Sequence, residues 1–367
     1  MSNKRVLFVT THFYPDNYMG GVVESGTKLV KYLRENNADL FVICVSKQPL
    51  PDTKKNIYCQ SFLFHRFGFS ITLLFKLFLQ IKRCDKVFIN GIVTFPCSLA
   101  QLYCIILQKP FINSLRGGLE EWRIKHKYWK KAFIIFGISI PFLRKSKFIH
   151  TTSEEEKLSA LKYGFNNCFV ASNGIDLEDF QIVKNERSDS QFVFLFLSRK
   201  DKEKGIEILL EAYEHFCKKF QNKNHVLKIV GPDNQGYFQK LKHKYNMKNV
   251  VVMDGVYGSE KVELISNSHV FILPSFSENF GNVIAEALVC RVPVITTNGT
   301  PWKIIEREEC GFIINPDSNE LLQKMIDMFQ AERKLLVKMG ENGRKLIFAK
   351  YDWKEKANIV DFYLKKI

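Results

Sequence analysis

The sequence predicts an α/β chain of two successive doubly wound parallel-sheet domains, each carrying helices on both faces of its sheet. Three observations lead there. Short β-rich apolar runs alternate with helix-length amphipathic runs along most of the chain, the pattern of a parallel sheet. The alternation halts once, in the turn-rich NGIDLEDF of 173–180 and the polar 184–190, and then restarts. The length, 367 residues, is more than one ordinary core accommodates.

The first series opens with a strand at 5–10, RVLFVT, and a loop holding His12, Pro15, Gly20 and Gly21. A helical pattern over 22–34 follows, with buried strands at 40–45, 86–90, 111–115 and 148–152 and a helix over 96–107. The second series reads strand 192–197, helix 205–220, strand 226–230 and helix 235–245, then strands 250–253, 270–273 and 293–296. Domains are expected at 1–175 and 176–345, with a last helix in 346–367 returning to the first domain. Open parallel sheets take ligands beyond the carboxyl ends of their strands, so the candidate residues are those just past these runs.

Composition narrows the class. Hydrophobic residues make up 46% and charged residues 25%, which excludes a mainly disordered chain. Nine cysteines stand singly in apolar surroundings without C-x-x-C spacing, as expected for reduced thiols rather than a disulfide framework or zinc site. The first fifteen residues lack a signal-peptide pattern. The longest apolar stretch, 132–143, is about half of the roughly twenty residues a membrane span needs. The expectation is a cytoplasmic chain.

The net charge of +16 is unevenly placed: 23 basic residues face 8 acidic ones over 1–150, against 31 and 30 over 151–367. One half therefore suits an anionic partner. Residues 123–147 and 62–83 mix cations with apolar and aromatic residues, Tyr128 and Trp129 among them, which fits an anionic membrane surface. Core helices with solvated charges fit the same residues. Zinc-finger, helix-turn-helix and RNP-like patterns are missing, so nucleic acid is not expected as a partner.

The chemistry concentrates in 274–302, PSFSENFGNVIAEALVCRVPVITTNGTPW. Glu278 and Glu286 are eight apart, with a helix starting near Gly281. Two carboxylates on one side of a site can hold two hydroxyl-bearing groups, such as a sugar and a ribose. Asn279, Phe280, Gly281 and Asn282 place backbone N–H groups at the helix start, where an anionic diphosphate is favoured. A solvated Glu278 on an ordinary loop is the plain alternative. Upstream, FLFLSRKDKEKG at 194–205 sets Arg199 and Lys204 beyond a strand, where two cations can neutralise a leaving diphosphate.

The stretch at 274–302 resembles the donor-site signature of the family-four retaining glycosyltransferases of GT-B fold: Pro-Ser, a Glu, Phe-Gly, a second Glu eight residues on, then Pro-Val-Ile. Its GTPW ending is similar to members that build bacterial surface polysaccharides. Arg199 and Lys204 match the same family's strand–Arg–loop–Lys-Gly element, Asp254-Gly255-Val256 its base-binding position, and the loop at 12–21 its FYP…GG loop with Gly20 and Gly21. The resemblance implies two Rossmann-like domains facing across a cleft, donor on the second and acceptor on the first. Many relatives carry His where this chain has Arg116, and often His-Gly where it has Asn90-Gly91. Arg116 stays protonated and cannot act as a base; contact with donor phosphate or the transferring sugar remains open to it.

The resemblance thus implies a hexosyltransferase acting with retention and without an essential metal. Its donor would be a UDP- or GDP-sugar, UDP by the family's habit, and its acceptor a saccharide, placed on a lipid carrier by the membrane reading. The setting would be synthesis of lipopolysaccharide, capsule or exopolysaccharide, with the enzyme peripheral at the inner face of the cell membrane. Glu278 would hold the donor sugar, Glu286 the ribose, and Arg199 and Lys204 the diphosphate, with Arg116 assisting. Lys204→Ala is expected to lower turnover far more than stability. Two alternatives stay open: a nucleotide-sugar epimerase or hydrolase, and a non-catalytic scaffold in a polysaccharide assembly complex.

Overall fold

The computed structural model describes residues 4–14, 20–36, 39–47, 53–60, 67–120, 135–180, 187, 190–233 and 236–367. The chain forms two compact units, Met1–Gly174 with Trp353–Ile367, and Ile175–Asp352. Each is a doubly wound α/β domain.

The first unit holds seven parallel strands in the order β3-β2-β1-β4-β5-β6-β7. They are β1 (Arg5–Thr10), β2 (Asp39–Ser46), β3 (Asn56–Gln60), β4 (Lys86–Asn90), β5 (Phe111–Ser114), β6 (Phe148–Thr151) and β7 (Cys168–Val170). The runs RVLFVT and KVFIN are apolar without alternation because both of their faces are covered. Phe8 pairs with Val42 on one side and Phe88 on the other, so the strand order reverses between β1 and β4. Helices Gly21–Glu35 and Trp353–Lys365 cover one face, where Phe8, Leu33, Phe88 and Trp353 share a core. Helices Ile71–Arg83 and Phe95–Ile106 cover the other, with Leu7, Ile43, Leu77 and Cys104 between them.

The second unit is a six-stranded parallel sheet in the order β10-β9-β8-β11-β12-β13. Its strands are β8 (Phe192–Leu197), β9 (His225–Val230), β10 (Val250–Met253), β11 (Val270–Leu273), β12 (Val294–Thr297) and β13 (Gly311–Ile314). Again the order reverses between the first strand of the series and the fourth, placing the switch point between β8 and β11. Phe194, Tyr213, Phe216, Phe271 and Leu288 belong to one continuous core.

Several elements differ from expectation. The chain re-enters the first unit at Trp353 rather than at 346, because helix Arg333–Lys350 stays with the second unit. A Cβ on Gly340 of that helix would lie 2.1 Å from the Arg291 carbonyl, so glycine lets the two backbones approach. Trp353 packs so closely on Gly174 that a Cβ there would stand 2.6 Å from its nitrogen. The helix expected over 235–245 is only Tyr237–Leu241. Strand β3 occupies a stretch where the sequence offered no assignment, and helix Ile71–Arg83 lies in the 62–83 segment, which fitted either a membrane surface or a core helix. Residues 62–66 and 123–134, with Tyr128 and Trp129, lie outside the described residues, as do Pro15 and most of 184–190. Among the described residues no helix is long and apolar enough to cross a membrane.

Candidate functional site

In the second unit the candidate residues converge at the carboxyl ends of β8 and β11. Past β8, Asp201 begins a 3-10 turn, Lys202–Lys204, and accepts from the Lys204 backbone N–H at 3.3 Å. Gly205 ends the turn at φ 69, and a Cβ there would stand 1.9 Å from the Pro274 carbonyl. Only glycine lets the β8 loop lie against the β11 loop this tightly. The two loops are then tied: the Glu203 carbonyl accepts from Phe276 N at 2.9 Å and from Ser275 Oγ at 3.0 Å.

That stitching puts Lys204 beside Glu278. Their Nζ and Oε1 are 2.6 Å apart, with side-chain exposures of 7% and 11%. The sequence proposed both residues but not the pair. Arg199 is placed differently: it reaches Asp201 at 3.1 Å and is 47% exposed, a cation at the solvent edge. The Glu278 backbone is fixed in turn, its N–H donating to the Gly299 carbonyl at 3.0 Å.

The helix beyond, Asn282–Val289, takes Gly281 as N-cap at φ 78, so Asn279 to Asn282 form its approach and first residue. The ring of Phe280 is engaged in packing. Its side chain is buried against Trp302, ring centroids 5.1 Å apart, and its carbonyl accepts from Trp302 Nε1. Packing occupies the ring, leaving only the backbone to meet a ligand. Glu286 is buried in the helix, and Lys261 of helix Gly258–Ser266 reaches its Oε1 at 2.8 Å. Each glutamate of the motif is therefore paired with its own lysine.

Val256 is half-buried just beyond β10. Beside it, buried Lys200 donates from Nζ to the Met253 carbonyl at 2.7 Å. Burial holds this ammonium below its usual range, with Asp254 and Asp233 opposing. Lys200 thus ties the β8 loop to the end of β10. The sequence reading singles out neither Lys200 nor Lys261: Lys200 sits in the same 194–205 run as Arg199 and Lys204 with nothing to mark its tie to β10, and Lys261, spaced far from the motif, gives no signal.

In the first unit Gly20 caps helix Gly21–Glu35 at φ 84, with open space where a Cβ would stand. Backbone conformation, then, rather than crowding, calls for glycine there. Arg116 follows β5 at φ 51 and is 93% buried by difference from its 7% exposure. Its Nε donates to Asn90 Oδ1 at 2.6 Å, and its Nη1 to Asn173 Oδ1 at 2.8 Å and Ser25 Oγ at 3.4 Å. Burial brings the guanidinium down to about 10, Glu156 opposing, so it stays charged at neutral pH. The Glu156 carboxylate is spent on the backbone N–H groups of Gly117 and Thr152 and the Thr152 hydroxyl. Below lies His150, hydrogen-bonded to Ser114 Oγ at 2.9 Å and the Ala171 carbonyl at 2.8 Å. Burial, aided by Arg116, depresses its pKa to about 3 and keeps it neutral.

Among the described residues no three His, Cys, Asp or Glu side chains group as a metal site would require. Residues 19–179 match the family described as Glycosyltransferase Family 4, and residues 178–346 the family Glycosyl transferases group 1. The chain belongs to the family-four glycosyltransferases of GT-B fold. Within that family it is 28% identical over 226 residues to the capsular polysaccharide biosynthesis glycosyltransferase CapM of Staphylococcus aureus. That match spans 58% of this chain and 58% of CapM. A 41.2 kDa protein of the Klebsiella pneumoniae cps region is 27% identical, over 81% of this chain and 85% of its own. Among solved structures, HepE of Anabaena with UDP and glucose superposes with a TM-score of 0.79. At 17% identity, covering 99% of this glycosyltransferase and 100% of HepE, it shows the common fold.

Proposed function

We propose that this glycosyltransferase moves a hexose from a nucleotide diphosphate sugar, UDP-linked rather than GDP-linked, to a lipid-carried saccharide in surface polysaccharide synthesis. The observation that carries the reading is the paired arrangement at the β8–β11 switch point: Lys204 on Glu278 and Lys261 on Glu286. Two oriented carboxylates offer acceptors for sugar and ribose hydroxyls, and Lys204 and Arg199 supply cations where diphosphate charge grows. The capsular role named for CapM and the UDP and glucose held by HepE support the substrate class.

In the proposed reaction the bond from the anomeric carbon to the phosphate oxygen breaks and a bond to the acceptor oxygen forms on the same face. The acceptor's proton passes to the leaving phosphate, so no side-chain base is needed, in keeping with arginine at 116. Lys204, Arg199 and the N-terminus of helix Asn282–Val289 take the charge role a metal ion would fill, and metal independence is part of the proposal. The enzyme is proposed to work as a peripheral protein at the inner face of the cell membrane.

Calorimetry with UDP and GDP, each with and without EDTA, tests this on wild type and on Glu286→Ala. Micromolar binding of UDP, indifferent to EDTA and lost in the variant, is expected. Failure of both nucleotides to bind would sink the transferase reading in favour of a scaffold.

A further inference from the structure

One face of the first unit is built unlike the other. Helix Ile71–Arg83 buries Leu73, Leu77 and Ile81 against the sheet, a stripe at helical spacing. Its opposite side is apolar as well: Ile71, Phe75, Phe78 and Leu79 recur at the same spacing, with Phe75 71% exposed and Ile71 55%. The neighbouring helix Phe95–Ile106 adds Leu102 and Ile106 at 38% and 60% exposure. The two helices are joined edge-to-face by Phe78 and Tyr103, ring centroids 5.4 Å apart. Single exposed apolar residues are ordinary, but two adjacent helices that both turn them outward mark an interaction surface.

Charge says what the surface meets. The segments 67–83, 95–109 and 135–147, which form these two helices and the short helix packed beside them, contain seven Lys or Arg and no Asp or Glu. The helices covering the opposite face mix signs: Gly21–Glu35 holds Glu24 and Glu35, and Trp353–Lys365 holds Glu355 and Asp361. Pairing with a second copy through this face would set like charges against each other. Bulky apolar side chains on segments that carry cations and no carboxylate suit the boundary of an anionic bilayer, with rings at acyl depth and ammonium groups among headgroup phosphates.

We propose that the outer surface of helices Ile71–Arg83 and Phe95–Ile106 docks this enzyme on anionic lipid, where a lipid-linked acceptor would be presented. The inference deepens the membrane part of the function proposed above and rests on it. Co-flotation of the full chain with phosphatidylcholine vesicles, with and without phosphatidylglycerol, tests it at low and high salt. Binding is expected only to the phosphatidylglycerol vesicles and is expected to weaken as salt screens the cations. Phe75→Ser/Leu79→Ser and Lys82→Glu/Arg83→Glu should each reduce it at least tenfold, with melting temperature and UDP binding unchanged. Equal flotation of wild type and both variants would overturn the proposal. So would a wild-type dimer that either variant makes monomeric, because the face would then serve a second copy. Loss of UDP binding in the wild type itself would point instead at the donor-site reading, which keeps the two failures apart.

Discussion

Arg116 Nε and Asn90 Oδ1 are 2.6 Å apart, joined by a hydrogen bond inside the first unit. By the family resemblance these are the two positions that many relatives fill with histidine, and here the two replacements touch. A buried guanidinium needs oxygen acceptors. Asn90 offers one and Asn173 another, whereas a neutral imidazole at 90 would present a ring nitrogen in a different geometry. The two replacements thus form one hydrogen-bonded arrangement with Asn173.

If the pair acts as a unit, its energetics are coupled. Asn90→Ala should cost about 2 kcal/mol by leaving a charged donor unmatched. In Arg116→Ala the further cost of Asn90→Ala should nearly vanish. Urea denaturation of both single variants and the double gives the coupling, and additive effects would refute it. Arg116→Lys should not restore stability, because an ammonium cannot reach two acceptors with a fixed fork.

Lys204→Ala cannot separate catalysis from folding as cleanly as the sequence implied. Its partner Glu278 is 11% exposed, so truncation strands a buried carboxylate, at a cost on the order of 3 kcal/mol. Lys204→Met/Glu278→Gln should recover most of that stability by removing both charges. Turnover should stay down about a hundredfold or more in single and double variants. Melting curves and initial rates measured together check this, and wild-type turnover in the double variant would remove both residues from the chemistry.

What was legible in the sequence follows from how locally each feature is encoded. Strands such as RVLFVT and KVFIN declare themselves because burial on two faces removes alternation. The donor motif is legible because its loop and helix are continuous in the chain. Helix Ile71–Arg83 was obscured because apolar residues on two opposite sides blur the periodicity that marks a helix. Lys261, Asn173 and Ser25 act across elements, reaching partners that only the fold brings near. Net charge misled in one detail: Lys86 and Arg116 count toward the basic half yet are buried. Lys86 donates to the Leu364 carbonyl at 2.6 Å, fastening the returning helix.

Lys261 gives a test of the ribose assignment. Holding Glu286 Oε1 at 2.8 Å, it fixes the orientation of the buried carboxylate. Lys261→Met should weaken UDP binding about tenfold, or ~1.4 kcal/mol. It should weaken 2′-deoxy-UDP less, since that nucleotide has one fewer hydroxyl to offer. Lys261→Arg should restore most of the affinity. Calorimetry with both nucleotides distinguishes positioning from general damage, which would lower both affinities alike.

His150 should set an acid limit on stability. Its pKa falls from the ordinary 6.5 to about 3 in the folded chain, so below pH 6.5 the unfolded chain takes up a proton the folded one refuses. Stability is then full above pH 6.5 and is lost as pH drops towards 3, by at most about 1.4 kcal/mol per pH unit. Glu156 works the other way: burial raises its pKa, so its own contribution grows on acidification. His150→Gln removes the imidazole while keeping a donor and an acceptor for Ala171 and Ser114. Denaturation at pH 7 and pH 5 should show the wild type losing about 2 kcal/mol more than the variant. Equal losses would mean that His150 is not the group that titrates.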